Sequence, residues 1–273
     1  MTEHIYSDWL ITHCAESTIF CVKNSEGMVK NFLDLDKDLP DEYRWRFSDV
    51  DSIAKQSKSA TSLSDLNRIF WTDQARNIEA YAVMTWWRAN ELVRSCLNGL
   101  NAREVIVPAV AARSLLELST VFLLNANKLE KNFKELTFIP DRLTFSNDLE
   151  KLVAKLIWGT RYQLDENSIK QTNIMSSLEK LAKSPGAEDL MQTYEFLCDI
   201  AHPSFIGNTS FWSHVEATNP DGSQRRLMSR LNDRNFNTEI TDKTLWALGW
   251  SATCIYNAFI MTRNANVELL QKL

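Results

Sequence analysis

Apolar residues recur at intervals of three and four over much of this chain, and that spacing predicts helices rather than strands. Ser64-Asp65 opens the first long one. Its buried face is expected to run through Ala75, Ile78, Ala82, Trp86, Ala89, Leu92, Val93, Cys96, Leu97 and Leu100, with Asn98-Gly99 as its stop. The next helix is expected to start near Ala102, which leaves Pro108 in its first turns, where proline is tolerated. From Val105 to Ala126 it is apolar nearly all round, the character of a helix in the middle of a bundle. Pro140 breaks the chain. Helices follow at Asp148–Ile157, ended by Trp158-Gly159, at Ile169–Lys183, stopped by Pro185-Gly186, and at Ala187–Ala201. Thr241–Leu270 is a long amphipathic helix with Leu245, Leu248, Ala252, Ile255, Tyr256, Phe259 and Ile260 on its inner face.

Two stretches depart from this pattern. Phe211 to Ala217 alternates loosely, Asn219-Pro220-Asp221-Gly222 is a strong turn signal, and Arg226 to Ser229 can return, which predicts a small β-hairpin directly after His202. Asn31 to Lys58 is rich in Asp, Lys and Ser, and Leu39-Pro40-Asp41-Glu42 interrupts it, so one or two short helices and a loose connector are expected. The chain therefore reads as an all-α, up-and-down helical bundle over residues 63–273, decorated by a hairpin. Residues 1–62 read as an N-terminal helical appendage or a partner-binding arm.

Composition agrees with helices. Glycine and proline number seven and six in 273 residues, too few for a fold built on tight turns. The balance of 44% apolar to 24% charged residues is that of an ordinary globular protein. No run of about 18 consecutive apolar residues occurs. Met1-Thr2-Glu3-His4 lacks a basic stretch ahead of an apolar core, so a cytoplasmic protein off the membrane is expected. The cysteines Cys14, Cys21, Cys96, Cys198 and Cys254 are scattered without a C-x-x-C pair, which suits free thiols better than zinc. A net charge of −5 confines any nucleic-acid contact to a local patch. The signatures of P-loop nucleotide hydrolysis, dinucleotide binding, zincin proteolysis and α/β-hydrolase chemistry are all missing. No metal or cofactor is expected.

Candidate chemistry falls in four places. Arg113 and Glu117 are one turn apart on the most apolar helix, where charges are costly unless paired or used. His202 ends its helix ahead of Pro203, with Asp199 on the same face to orient it, and an imidazole there can move protons near neutral pH. Pro203, Ser204, Gly207 and Asn208 read as a short polar loop beside it. Trp158-Gly159-Thr160-Arg161 either caps a helix or delivers an arginine to an anion. Arg225, Arg226, Arg230 and Arg234 form the basic cluster of the chain, a solvated face or a phosphate-tracking strip.

Arg113-Ser114-Leu115-Leu116-Glu117, Trp158-Gly159-Thr160-Arg161 and Tyr194…Cys198-Asp199-Ile200-Ala201-His202-Pro203-Ser204 together resemble bacterial all-helical proteins of the HEPN superfamily, over roughly Asn67 to Asn264. The resemblance implies a four- or five-helix up-and-down bundle that forms a homodimer. It also implies a metal-independent endoribonuclease acting on RNA as a toxin–antitoxin or antiviral effector. His202 matches the histidine of the family signature. The arginine that the signature places shortly before it on the same helix does not match, since that stretch reads Glu195, Phe196, Leu197. Arg113 or Arg161 is the expected replacement, with Glu117 orienting it and Trp158, Tyr194, Ser204, Asn208, Arg225 and Arg226 as substrate contacts. The competing expectation is a non-catalytic dimerisation or sensor module, in which Arg113, Glu117 and His202 form a structural polar network.

Overall fold

The computed structural model describes residues 4–14, 19–160, 169–203, 205–229 and 238–273. Among them the chain is mostly helical: α1 (Asp8–Cys14), α2 (Ile19–Asp36), α3 (Val50–Ser57), α4 (Leu63–Asn101), α5 (Ile106–Glu135), α6 (Asn147–Trp158), α7 (Ile174–Leu181), α8 (Leu190–Ala201), α9 (Phe205–Trp212) and α10 (Thr238–Lys272). One antiparallel hairpin joins β1 (Ser213–Thr218) to β2 (Gln224–Met228), with a bulge between Val215 and Ala217. Two compact units emerge. The first holds Met1–Asp38, Ala89–Thr120 and Leu178–Cys254; the second holds Leu39–Arg88, Val121–Ser177 and Ile255–Leu273.

The first unit takes in Met1–Asp38, and Leu39 onward belongs to the second. Tyr6, Leu10, Cys14, Val29 and Phe32 are buried, so residues 4–36 include packed positions. The helix α2 carries polar residues on its inner face. Ser25 bonds the Tyr6 hydroxyl at 2.7 Å, and Glu26 accepts from the Ile5 amide at 3.0 Å and pairs with His4 and Lys30. Burial raises the Glu26 pKa, but these partners outweigh it and hold the carboxyl below its usual range. Gly249 of α10 lets the two backbones approach, since a Cβ there would meet Ser25 Cα at 2.8 Å.

The end of α4 corrects the expected stop at Asn98-Gly99. Gly99 lies inside the helix, and the left-handed residue that ends it is Arg103, φ 61°. The Glu104 amide bonds Gly99 O at 2.8 Å and the Arg103 amide bonds Leu100 O at 3.1 Å, which is a Schellman closure built without glycine. The Arg103 guanidinium lies over the Trp9 ring at 4.7 Å. Gly99 serves close packing instead: a Cβ would meet Pro108 Cδ at 2.9 Å. Alanine in a helix interior normally gains up to about 1 kcal/mol over glycine. Here Gly99→Ala is expected to cost about 1–3 kcal/mol, because a proline ring cannot swing aside. Urea unfolding of the variant checks the sign.

In the second unit, Trp71, Ala75, Ile78, Leu129, Phe133, Leu149, Leu152, Val153, Ala265 and Leu269 form one buried cluster. Trp86 packs its ring on Phe259, centroids 4.8 Å apart. Asn67 holds the loop after α5, donating to Arg142 O at 2.7 Å and accepting from the Thr144 amide at 2.8 Å.

Other expected bounds moved. α5 starts at Ile106, beyond Ala102, with Pro108 in its first turn, and runs on to Glu135. It is not buried all round, because Ile106, Val107 and Val110 are exposed. By length and composition α5 is apolar enough to cross a membrane, and 50% of its most apolar window is packed inside the protein. The expected helix from Ile169 begins only at Ile174, since Lys170 forms a bridge with Thr160. The hairpin does not follow His202 directly, because α9 intervenes.

Candidate polar site on α5 and α8

α5 and α8 each contribute a pair of residues from the first unit to one polar cluster. Arg113 and Glu117 are one turn apart on α5, and the Arg113 Nη2 donates to Glu117 Oε1 at 3.1 Å. From α8, the Tyr194 hydroxyl donates to the same Oε1 at 2.8 Å. The Arg113 Nε donates to the Cys198 Sγ at 3.1 Å, and the guanidinium carbon sits 5.7 Å from the centre of the Tyr194 ring. Tyr194 and Cys198 are also one turn apart, so two i, i+4 pairs face each other. α8 buries Tyr194 together with Leu190, Thr193, Leu197 and Ile200, and leaves Cys198 half-buried beside them.

The cluster is neither sealed nor free. The Arg113 and Glu117 side chains keep 30% and 27% of their exposure. Burial works against the guanidinium charge, but the bonds to Tyr194, Cys198 and Glu117 outweigh it and raise the Arg113 pKa above the usual arginine value. Burial also raises Tyr194; Arg113 lowers it, the Glu117 carboxylate raises it again, and the phenol ends at about 12. At neutral pH Tyr194 is therefore a fixed donor to Glu117, not a base. Arg113 stays a cation, with Nε bonded to Cys198 and Nη2 to Glu117.

His202 caps the C-terminus of α8. Its backbone amide bonds Cys198 O at 3.0 Å, and its side chain is exposed. Asp199 is exposed on the same helix, and among the described residues no hydrogen bond joins the two side chains. The region after His202 corrects the polar-loop expectation. Gly207 and Asn208, both poor helix formers, are carried in α9, whose end is tied by Ser213 Oγ donating to Thr209 O at 2.8 Å. Asn208 is exposed there.

Arg161, Ser204, Arg230 and Arg234 lie outside the described residues. Trp158 ends α6 in the second unit, 47% exposed. Gly159 after it is extended, φ −63°, and does not use left-handed backbone. Arg225 pairs with Glu216 at 3.4 Å, while Arg226 donates to Ser213 Oγ at 3.0 Å and to Gln224 Oε1 at 3.1 Å. Neighbouring strand residues face opposite ways, so these two arginines do not form one continuous strip. Among the described residues no three His, Cys, Asp or Glu are grouped to hold a metal ion.

Cys198 is the member of the cluster that sequence reasoning missed. Its signal was its spacing: four residues after Tyr194 and four before His202 on one helix. No family model, curated protein or solved structure matches the chain.

Proposed function

We propose that this chain is a HEPN-like effector, an up-and-down bundle that cleaves RNA without a metal ion and acts in a bacterial antiviral or stress response, as a homodimer in the cytoplasm. One observation carries the reading. The Arg113 Nε is bonded to Cys198 Sγ at 3.1 Å, and Cys198 stands one helical turn before His202. The arginine of the family signature belongs in the stretch just before Cys198, at Glu195, Phe196, Leu197. A guanidinium from α5 thus supplies the charge that α8 lacks in sequence. Cleavage of this type needs a proton acceptor for the ribose 2′-hydroxyl and a cation for the phosphate oxygens. His202, exposed at the helix end, takes the first role. Arg113 takes the second, held by Glu117 and Cys198, while Tyr194 holds Glu117.

The engagement of Arg113 by Glu117 supports a second reading, a non-catalytic dimerisation or sensor module in which the cluster specifies the packing of α5 on α8. RNA turnover and growth arrest on expression, wild type against His202→Ala, separate the two. Loss of both effects in a folded variant supports the effector. Inert wild-type protein leaves the module.

A further inference from the structure

Residues 43–47 read Tyr-Arg-Trp-Arg-Phe, aromatic and cationic side chains in strict alternation. They lie in a stretch with neither helix nor strand, ahead of α3 in the second unit. In an extended chain, alternate side chains face opposite ways and repeat about every 7 Å. The burial follows the alternation as far as Arg46, with Tyr43 and Trp45 half-buried and Arg44 and Arg46 exposed; Phe47 departs from it and is exposed like the arginines.

The stretch is anchored at two points. The Trp45 Nε1 donates to Asn77 Oδ1 at 3.1 Å, and Asn77 is held in turn by Asp73 at 3.3 Å. Ser48 is buried, and Asp49 caps α3 through the Ser52 amide at 2.7 Å. Between these anchors Phe47 stands 51% exposed. It packs edge-on against Trp45 at 5.4 Å and against Trp158 at 6.2 Å, and Trp158 is itself 47% exposed. Two large, partly exposed rings are therefore held edge to face, at an interplanar angle of 68°. Among the described residues neither Arg44 nor Arg46 has an ion-pair or hydrogen-bond partner. Asp41, Glu42 and Asp51 are exposed on either side and limit the cationic window to these two arginines.

We propose that Phe47 and Trp158 are a stacking platform for the bases of single-stranded RNA, with Arg44 and Arg46 on the flanking phosphates. Exposed rings beside unpaired guanidinium groups match a strand whose bases are unpaired, because a base needs only a π-face and the backbone needs only charge. A duplex hides its base faces and offers the rings nothing. The acidic flanks oppose a longer polyanion track. This surface shares the RNA reading of the chain but no residue with the α5–α8 cluster.

The test is a fluorescence-anisotropy titration of a labelled 12-nucleotide oligouridylate with the full-length His202→Ala protein, so that cleavage does not enter the reading. Binding is expected, with a matched RNA duplex and a proline-rich peptide binding more weakly. Phe47→Ala and Trp158→Ala should each weaken it roughly ten- to a hundredfold, and Phe47→Trp should restore it. Arg44→Ala with Arg46→Ala should reduce the slope of log affinity against log salt by about 1.4. Circular dichroism checks the fold of each variant. Unchanged affinity in Phe47→Ala, equal binding of the duplex, or binding of the peptide alone overturns the proposal. Loss of nuclease activity would leave this result standing, and loss of binding would leave the His202 assay standing, so the two claims fail separately.

Discussion

His202→Ala is expected to slow RNA degradation by about 10²- to 10⁴-fold, the usual contribution of a positioned acid–base group, with almost no change in stability. The side chain is exposed at the end of α8, and among the described residues it has no hydrogen-bond partner. Removing such a group costs within about 0.5 kcal/mol. The helix keeps its closing bond, because that is made by the backbone amide to Cys198 O at 3.0 Å. A large rate loss without a melting change separates chemistry from architecture. A discontinuous RNA assay and a thermal melt on the same preparations measure both.

The largest stability effect is expected at Trp86. It is fully buried, and its ring lies 4.8 Å from that of Phe259 at an angle of 53°. Trp86→Ala removes the transfer free energy of the indole and leaves a cavity that its neighbours fill only in part, for about 3–5 kcal/mol. In a chain of this size that is read as a Tm lower by roughly 6–20 °C. Trp158→Ala is the control: a residue 47% exposed should barely shift the melt.

The helical face through Ala75, Ile78, Trp86, Val93, Cys96 and Leu100 was legible because one apolar stripe repeats over α4, and all six residues are buried. Helix ends were harder. Gly99 has the composition of a stop but is needed for its approach to Pro108, while the actual stop, Arg103, is an arginine held left-handed by its neighbours. α2 is longer than the short helices expected of residues 1–62, because Ser25 and Glu26 interrupt the apolar pattern of its inner face and are satisfied by Tyr6, His4 and Ile5, distant in sequence, and by Lys30. In the site, Arg113 with Glu117 could be read from an i, i+4 spacing on an apolar helix. Tyr194 closed the group as a substrate contact by expectation and as a donor to Glu117 in fact. Cys198 offered only its spacing from Tyr194 and His202, since a thiol on a half-buried position gains meaning only when an arginine from another helix reaches it. Tyr43 to Phe47 falls in a charged stretch whose overall composition concealed its alternation.

The account rests on Arg113 standing in for an arginine that α8 lacks. The direct measurement is the RNA cleavage rate of three proteins side by side: wild type, Arg113→Ala, and Arg113→Ala combined with Cys198→Arg. Loss of one transition-state donor should cost about 10²- to 10³-fold in Arg113→Ala. Returning the guanidinium to α8 one turn before His202 should recover much of that loss. An Arg113→Ala protein that cleaves at the wild-type rate would contradict the account.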